Sequence, residues 1–292
     1  MAQTPDGGSG MRQAGACFPW TCVRMKSTPV PAARWLALVP LLVPAAGNPS
    51  SHRSAMPPPA TVAAIPAADH AVPDRLAGAL AQVAPAASRE VLALAARAMS
   101  CALRHPEFGV DPQRLGVIDY SRPSTEPRLW IFDLARQKLL FEEWVAHGRN
   151  SGENLTARFS NRDGSYMTSL GGFTAQETYM GGNGYSLRLR GLEPGFNDRA
   201  RDRAIVIHGA PYVNPAAAKL QGRLGRSLGC PAVRPAVARP LIDSLRDGTF
   251  VFAYYPDRDW LQRSRLLSGD CGGGPAPALA VHAVSNAPAS AH

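Results

Sequence analysis

The sequence predicts a mainly β domain of sandwich or barrel-like form, entered through helices. Three patterns point there. Short runs rich in Val, Ile, Leu, Phe, Trp and Tyr recur between Leu115 and Tyr254. Glycine-rich turns separate them, and helical spacing is confined to a stretch ahead of the strands and a short one among the last of them.

The elements follow in chain order. Residues 1–24 read as an extension that is not native to the mature product, with Met25, or alternatively Met11, as the expected start. Residues 25–45 read as a secretion signal: Met25-Lys26 and Arg34 supply positive charge, Trp35 to Val43 a short apolar run, and Ala45 a small residue for cleavage. That run is too short and too rich in proline to span a bilayer stably. Residues 46–72, with Met56-Pro57-Pro58-Pro59, read as a Pro/Ala-rich linker.

A helical lead-in is expected over residues 73–106. Ser88 is its candidate N-cap, Val91, Leu92, Ala95, Ala98, Met99 and Ala102 form an apolar stripe, and His105-Pro106 ends it. The main domain is placed at residues 107–260. Leu115-Gly116-Val117-Ile118 is a strand. Leu129–Leu134 and Lys138–Phe141 flank Ala135-Arg136-Gln137 as a hairpin. Tyr185–Arg190 alternates, with Tyr185, Leu187 and Leu189 opposed to Ser186, Arg188 and Arg190. Ala204–Ile207 reads as a fully buried strand, Pro240–Arg246 as a short helix, and Phe250, Phe252 and Tyr254 as one face of a late strand. Residues 261–292 read as a disordered tail.

The chain of 292 residues carries a net charge of +9, which suits an acidic partner such as nucleic acid, anionic lipid or an acidic wall polymer. No nucleic-acid motif, basic run or aromatic–basic interleaving is present, so nucleic acid is not expected as a partner. The five cysteines include no CxxC and no Cys/His zinc spacing; neither a metal nor another cofactor is expected. Cleavage after Ala45 leaves three cysteines, and a Cys101–Cys271 pair in an oxidising compartment leaves Cys230 free.

The chemistry concentrates in two places. His208-Gly209 ends the apolar run Ala204–Ile207, and Cys230 closes the glycine-rich turn Gly222–Cys230. A thiol is mostly protonated at neutral pH, and a rigidly placed imidazole can take its proton so that the thiolate attacks a carbonyl. Cys230 and His208 are therefore the candidate nucleophile and base. Acyl transfer also needs donors for the oxyanion. Pro231 has no N–H, so the N–H groups of Cys230 and Gly229 are the candidates. Ser227 is placed either as a turn hydroxyl or at the substrate. His147-Gly148, a second His-Gly at a strand end, either lines the same cleft or makes a structural hydrogen bond.

These stretches resemble the murein L,D-transpeptidase catalytic domain family, related to the YkuD-like L,D-transpeptidases. The resemblance rests on Val117–Ser121, Val145–Gly148, Phe159–Asn161, Ser169–Gly171, Gly184–Glu193, Ile205–Ala210 and Gly225–Val233, and covers about residues 110 to 256. It implies an L,D-transpeptidase-type β-sandwich with a helical N-terminal lead-in and a short helix after the catalytic loop. It implies an enzyme secreted across the inner membrane, in the periplasm or cell wall, acting on peptidoglycan stem tetrapeptides. Its thiolate would release D-alanine, form a thioester, and pass the acyl group to an amine as a 3→3 cross-link. Carbapenems acylate the nucleophile of related enzymes. By the resemblance Cys230 is the nucleophile, His208 the base, Gly209 the residue whose carbonyl orients the imidazole, and Ser227 and Gly229 loop residues. Leu228 stands where the family often has a histidine, and Ala232 where it often has Asn or Arg; Arg188, Arg190, Arg223, Arg226 and Arg234 are the side chains available to pair with a substrate carboxylate.

Three other readings compete. An L,D-carboxypeptidase would share the acyl-enzyme and use water as acceptor. A non-catalytic peptidoglycan-binding module would keep the fold without a reactive thiol. A papain-like peptidase would place Cys before His, whereas this chain places His first.

Overall fold

The computed structural model describes residues 71–268 and Cys271. The expected extension and signal peptide lie outside the described residues, as does the linker except for Ala71 and Val72, which open a helix.

The lead-in is two helices, α1 (Ala71–Val83) and α2 (Arg89–Ala102). Ser88 caps α2 by accepting the N–H of Val91, and a short 3-10 turn over Pro106–Phe108 follows the stop at His105-Pro106. Eight strands then form one hydrogen-bonded sheet: β1 (Asp111–Asp119), β2 (Leu129–Asp133), β3 (Lys138–Glu143), β4 (Gly171–Gly181), β5 (Gly184–Gly191), β6 (Val206–Gly209), β7 (Ala232–Val233) and β8 (Thr249–Tyr254). Their order across the sheet is β3-β2-β1-β8-β4-β5-β6-β7. β1 runs parallel to β8 and β6 parallel to β7, while the remaining pairs are antiparallel. Beyond β3 the chain reaches the far edge of the sheet, where the N–H of Ala146 donates to Ala232 O at 2.8 Å. That bridge curls the sheet toward closure, which hides its edges.

The alternation of side chains sorts the sheet into two cores. Leu115, Val117, Trp130, Phe132, Phe250, Phe252 and Tyr254 face α1 and α2. Ile118, Ile131, Phe173, Leu187, Leu189, Ile207 and Val251 face inward with helix α4 (Pro235–Leu245). Every residue of β8 is buried, as a strand covered on both faces must be.

The mainly β class and the helical lead-in hold, and several boundaries move. α4 begins at Pro235, ahead of the expected start at Pro240, because Ala238, Leu241, Ile242 and Leu245 already form its buried stripe. Pro240 is tolerated inside it because it lies on the exposed side, where the carbonyl of Ala236 can bond water. β6 begins at Val206, because Ala204 adopts a left-handed φ of 52° that ends any extended run. Ser186, expected on an open polar face, is buried, and its hydroxyl bonds Gly184 O. β4 and helix α3 (Pro215–Gln221) were not anticipated; β4 opens on Gly171-Gly172, a poor strand signal. Of the residues expected as a disordered tail, 261–268 continue the fold: α5 (Arg258–Arg263) buries Trp260, and Leu266 joins the first core; the rest of that tail, apart from Cys271, lies outside the described residues. None of the described helices is long and apolar enough to cross a membrane.

Cys101 of α2 is joined to Cys271, 170 residues later, and Cys230 is free. Closing so long a loop restricts the unfolded chain. Removing the bond in a Cys101→Ala/Cys271→Ala variant is expected to cost about 2 to 5 kcal/mol of stability. Denaturant unfolding checks this; coincident curves for variant and parent would show that the bond contributes nothing.

Candidate active site

The site is built where β6, β7 and the glycine loop meet. Ile205 and Ile207 anchor β6 in the inner core, and His208 is set opposite Ser186 of β5 and Ala232 of β7. Its side chain is 4 % exposed. Nδ1 lies 3.0 Å from Gly209 O. A carbonyl can only accept, so Nδ1 carries the proton and Nε2 of the neutral ring is left as an acceptor. Burial pushes the imidazole below its ordinary value of 6.5, partly offset by that hydrogen bond. Gly209 has a second role: a Cβ there would lie 2.8 Å from Ala238 Cβ, so its absence lets α4 pack closely on β6.

The loop that carries Cys230 is tied down at several points. Ser227 N–H donates to His147 O at 2.9 Å and Arg149 N–H to Ser227 O at 2.8 Å. The Ser227 hydroxyl donates to Cys230 O at 2.6 Å and accepts the Gly229 N–H at 3.1 Å. Ser227 is thus the hydroxyl that closes the turn. Gly229 has φ +128°, and a Cβ there would lie 2.9 Å from Met167 O, so both conformation and space require glycine. Its N–H, a candidate oxyanion donor from the sequence, is already bonded to Ser227. The N–H of Cys230 remains as the loop donor.

Cys230 is half-buried. Its Sγ is 3.7 Å from Ala204 O. Burial pushes the thiol up from 9.0; the N–H of Val206, the charge of Arg203 and its own N–H act the other way. Among the described residues no hydrogen bond joins Sγ to His208. At rest Cys230 is therefore a thiol and His208 a neutral imidazole, carried on neighbouring elements: the N–H of His208 donates to Pro231 O at 3.4 Å. Tyr212 completes the surroundings: it packs against Gly225, and burial followed by the neighbouring thiol pushes its phenol up to about 12.

Other sequence candidates are differently employed. His147 is 1 % exposed, with Nδ1 accepting from Arg128 Nη2 at 2.7 Å and Nε2 3.3 Å from Gly152 O. Both nitrogens are spent inside the protein, so the substrate contact considered for it is replaced by the structural hydrogen bond. Arg223 and Arg226 share Glu153, at 2.8 and 2.6 Å, so one carboxylate serves two guanidiniums. Arg188 pairs with Glu177 at 3.1 Å and stacks on Tyr179. Arg234 grips Glu143 through two nitrogens, and Arg190 donates to Glu107 O. Four of these five already touch a carboxylate, while Arg190 bonds a backbone carbonyl.

Sequence reasoning missed four participants. Ala204 supplies the carbonyl at the sulfur. Arg203 supplies a positive charge that acts on it. Thr168 accepts the Gly148 N–H at 2.9 Å and donates to Gly229 O at 3.3 Å, which clamps the loop to the 147–148 segment. Arg128, fully buried, donates to Val145 O, Arg122 O and His147. A left-handed alanine or a chosen hydrogen-bond partner leaves no periodic trace in a sequence.

Comparison with known proteins follows the same lines. No curated protein matches. Solved structures that align with this chain include an L,D-transpeptidase from Mycobacterium smegmatis, at 16% identity and TM-score 0.31, covering 49% of this chain and 59% of that one. Another is the C442S mutant of the Enterococcus faecium L,D-transpeptidase, at 16% identity and TM-score 0.29, covering 50% of each chain. A third is an L,D-transpeptidase from Stackebrandtia nassauensis, at 13% identity and TM-score 0.31, covering 64% of this chain and 93% of that one. Residues 84–254 match the L,D-transpeptidase catalytic domain family. That stretch holds β1 to β8, the imidazole of His208 and the loop thiol of Cys230, and it is more than half of the sequence: this chain belongs to the L,D-transpeptidase catalytic domain family.

Proposed function

We propose that this protein is a secreted cysteine acyltransferase acting on peptidoglycan stem tetrapeptides, with Cys230 as nucleophile and His208 as base. The observation that carries the reading is the tautomer of His208: with Nδ1 held by Gly209 O, the free Nε2 is an acceptor on the strand that lies beside the cysteine loop.

The sequence of events follows from the resting geometry. The thiol must leave Ala204 O, by rotation between staggered side-chain positions, and give its proton to Nε2 of His208. The thiolate then attacks the carbonyl between the third stem residue and the terminal D-alanine. Negative charge gathers on the carbonyl oxygen, where the Cys230 N–H is the available loop donor. The imidazolium returns its proton to the leaving amine, D-alanine departs, and a thioester remains. The side-chain amine of a second stem attacks the thioester and loses a proton to His208, which yields the 3→3 cross-link and the free thiol. Water in place of the amine gives a trimmed tripeptide. The site of action on this reading is outside the inner membrane. Arg223, Arg226 and Arg188 brace the loop and sheet through Glu153 and Glu177, each of which is shared between two arginines.

A related L,D-transpeptidase has been solved in complex with imipenem. Acylation by a carbapenem is therefore the direct assay. Incubating the purified chain with imipenem is expected to add one drug mass, mapped to the peptide containing Cys230. Absence of any adduct on folded protein would favour a wall-binding module. Analysis of muropeptide products then separates amine from water as acceptor: cross-linked dimers support the transpeptidase, tripeptides alone the carboxypeptidase.

A further inference from the structure

Arg203 stands out among the arginines of the domain. Among the described residues it has no ion pair, yet it is half-buried and every one of its four hydrogen bonds ends on a neutral oxygen. Nη1 donates to Ser160 O at 2.7 Å and Ser169 Oγ at 2.6 Å; Nη2 donates to Ser165 Oγ at 3.2 Å and Met167 O at 2.7 Å. A guanidinium held this way stays charged, and no carboxylate among the described residues lies within ion-pair distance of it.

Its position is set by the segment that builds the site. Arg203 directly precedes Ala204, whose left-handed backbone turns the carbonyl to the thiol, and the chain then enters β6 and reaches His208. A non-glycine residue at positive φ is strained and persists only where neighbouring contacts enforce it. The four bonds of Arg203 are such contacts. On the other side, Nη2 lies 3.5 Å from where a Cβ of Gly229 would be, and the Met167 carbonyl it holds lies 2.9 Å from that same point. One guanidinium therefore joins the 160–169 loop to the residue next to the nucleophile.

We propose that Arg203 is a positioning residue for Cys230: it locks the 160–169 loop against Gly229 and sets a guanidinium beside the loop that carries the nucleophile. The proposal rests on Cys230 being the nucleophile. Other groups facing these two are accounted for. Tyr120 and Tyr212 lie near the sulfur and are both pushed up chiefly by burial, so they stay neutral. His208 is pushed down by burial and is neutral at rest. Asp163 favours the charge on Arg203 and Arg199 opposes it. Arg203 is thus the one cation in this group whose charge acts on the sulfur.

The test is the rate of alkylation of Cys230 by iodoacetamide in the full chain, followed across the neutral-to-alkaline range. Arg203→Met is expected to move the midpoint upward and to slow alkylation several-fold at a fixed pH below it. Arg203→Lys, which keeps the charge and loses the fork of donors, is expected to hold the midpoint near that of the parent while lowering the unfolding temperature. Should Arg203→Met not fold, Arg203→Gln, which keeps an amide donor for Met167 O without the charge, is measured in its place. An unchanged or lowered midpoint in the folded neutral variant overturns the proposal, as does an equal upward shift in Arg203→Lys. Alkylation needs only the thiol, so a failure here leaves the acyl-transfer reading standing, and a failure of imipenem acylation does not move the alkylation midpoint.

Discussion

A Cys230→Ala variant is expected to lose all turnover and all imipenem adduct, and to unfold within about 1 kcal/mol of the parent. The loss is complete because the acyl group has no other atom to occupy. The fold survives because the structural ties of the loop run through Ser227, Gly229 and Thr168, not through sulfur. The hydrogen bond of Sγ to Ala204 O, at 3.7 Å, is long and weak. A His208→Ala variant should keep the thiol but lose its proton acceptor, at a cost of roughly 10²- to 10⁴-fold in rate. The two variants are read together by steady-state release of D-alanine and by intact mass. Undiminished release in Cys230→Ala would remove the thiol from the reaction. Parental rates in His208→Ala would assign proton transfer elsewhere.

The second large effect concerns stability in acid. His147 is buried beside the guanidinium of Arg128, and burial followed by that charge pushes its imidazole from 6.5 to about 4. Nε2 faces Gly152 O, and Arg226 adds further positive charge in the same direction. In the unfolded chain the ring takes a proton as pH falls through about 6.5; in the folded chain it resists until about 4. The unfolded state therefore binds more protons throughout that window. The stabilisation is fully present above it and is lost as pH falls, amounting to about 3 kcal/mol by the lower end. Denaturant unfolding at neutral pH and at the acid end measures the difference. His208 shifts in the same direction, so the comparison is with His147→Gln, which can accept from Arg128 and donate to Gly152 O without titrating. The variant should lose most of the His147 contribution to the slope. A slope equal to that of the parent would show that His147 does not carry it.

Much of the fold was legible along the chain because its signals are local. The hairpin of β2 and β3 reads from two apolar runs around Ala135-Arg136-Gln137, and Gln137 indeed takes the left-handed φ of 48° that such a turn needs. The cap at Ser88 and the aromatic face of β8 likewise depend on residues within a few positions of each other. β4 was hidden because its opening glycines owe their place to close approach: a Cβ at Gly172 would strike the ring of Phe250 and Leu266.

His208 and Cys230 could be named from the sequence because each sits in a context with a chemical meaning, a histidine closing a buried strand and a cysteine closing a glycine turn. The bonds between their neighbours could not be named. Ala204 meets the thiol across 26 residues, Thr168 meets Gly229 across 61, and Arg203 meets the 160–169 loop across 34 to 43. Which partner each donor finds is decided by strand order, with β8 entering between β1 and β4 although it comes last. Periodicity and turn chemistry report how a segment buries its own side chains. The choice of distant partners, and hence the fate of His147 and the five candidate arginines, is settled only when the sheet closes and every buried donor must find an acceptor.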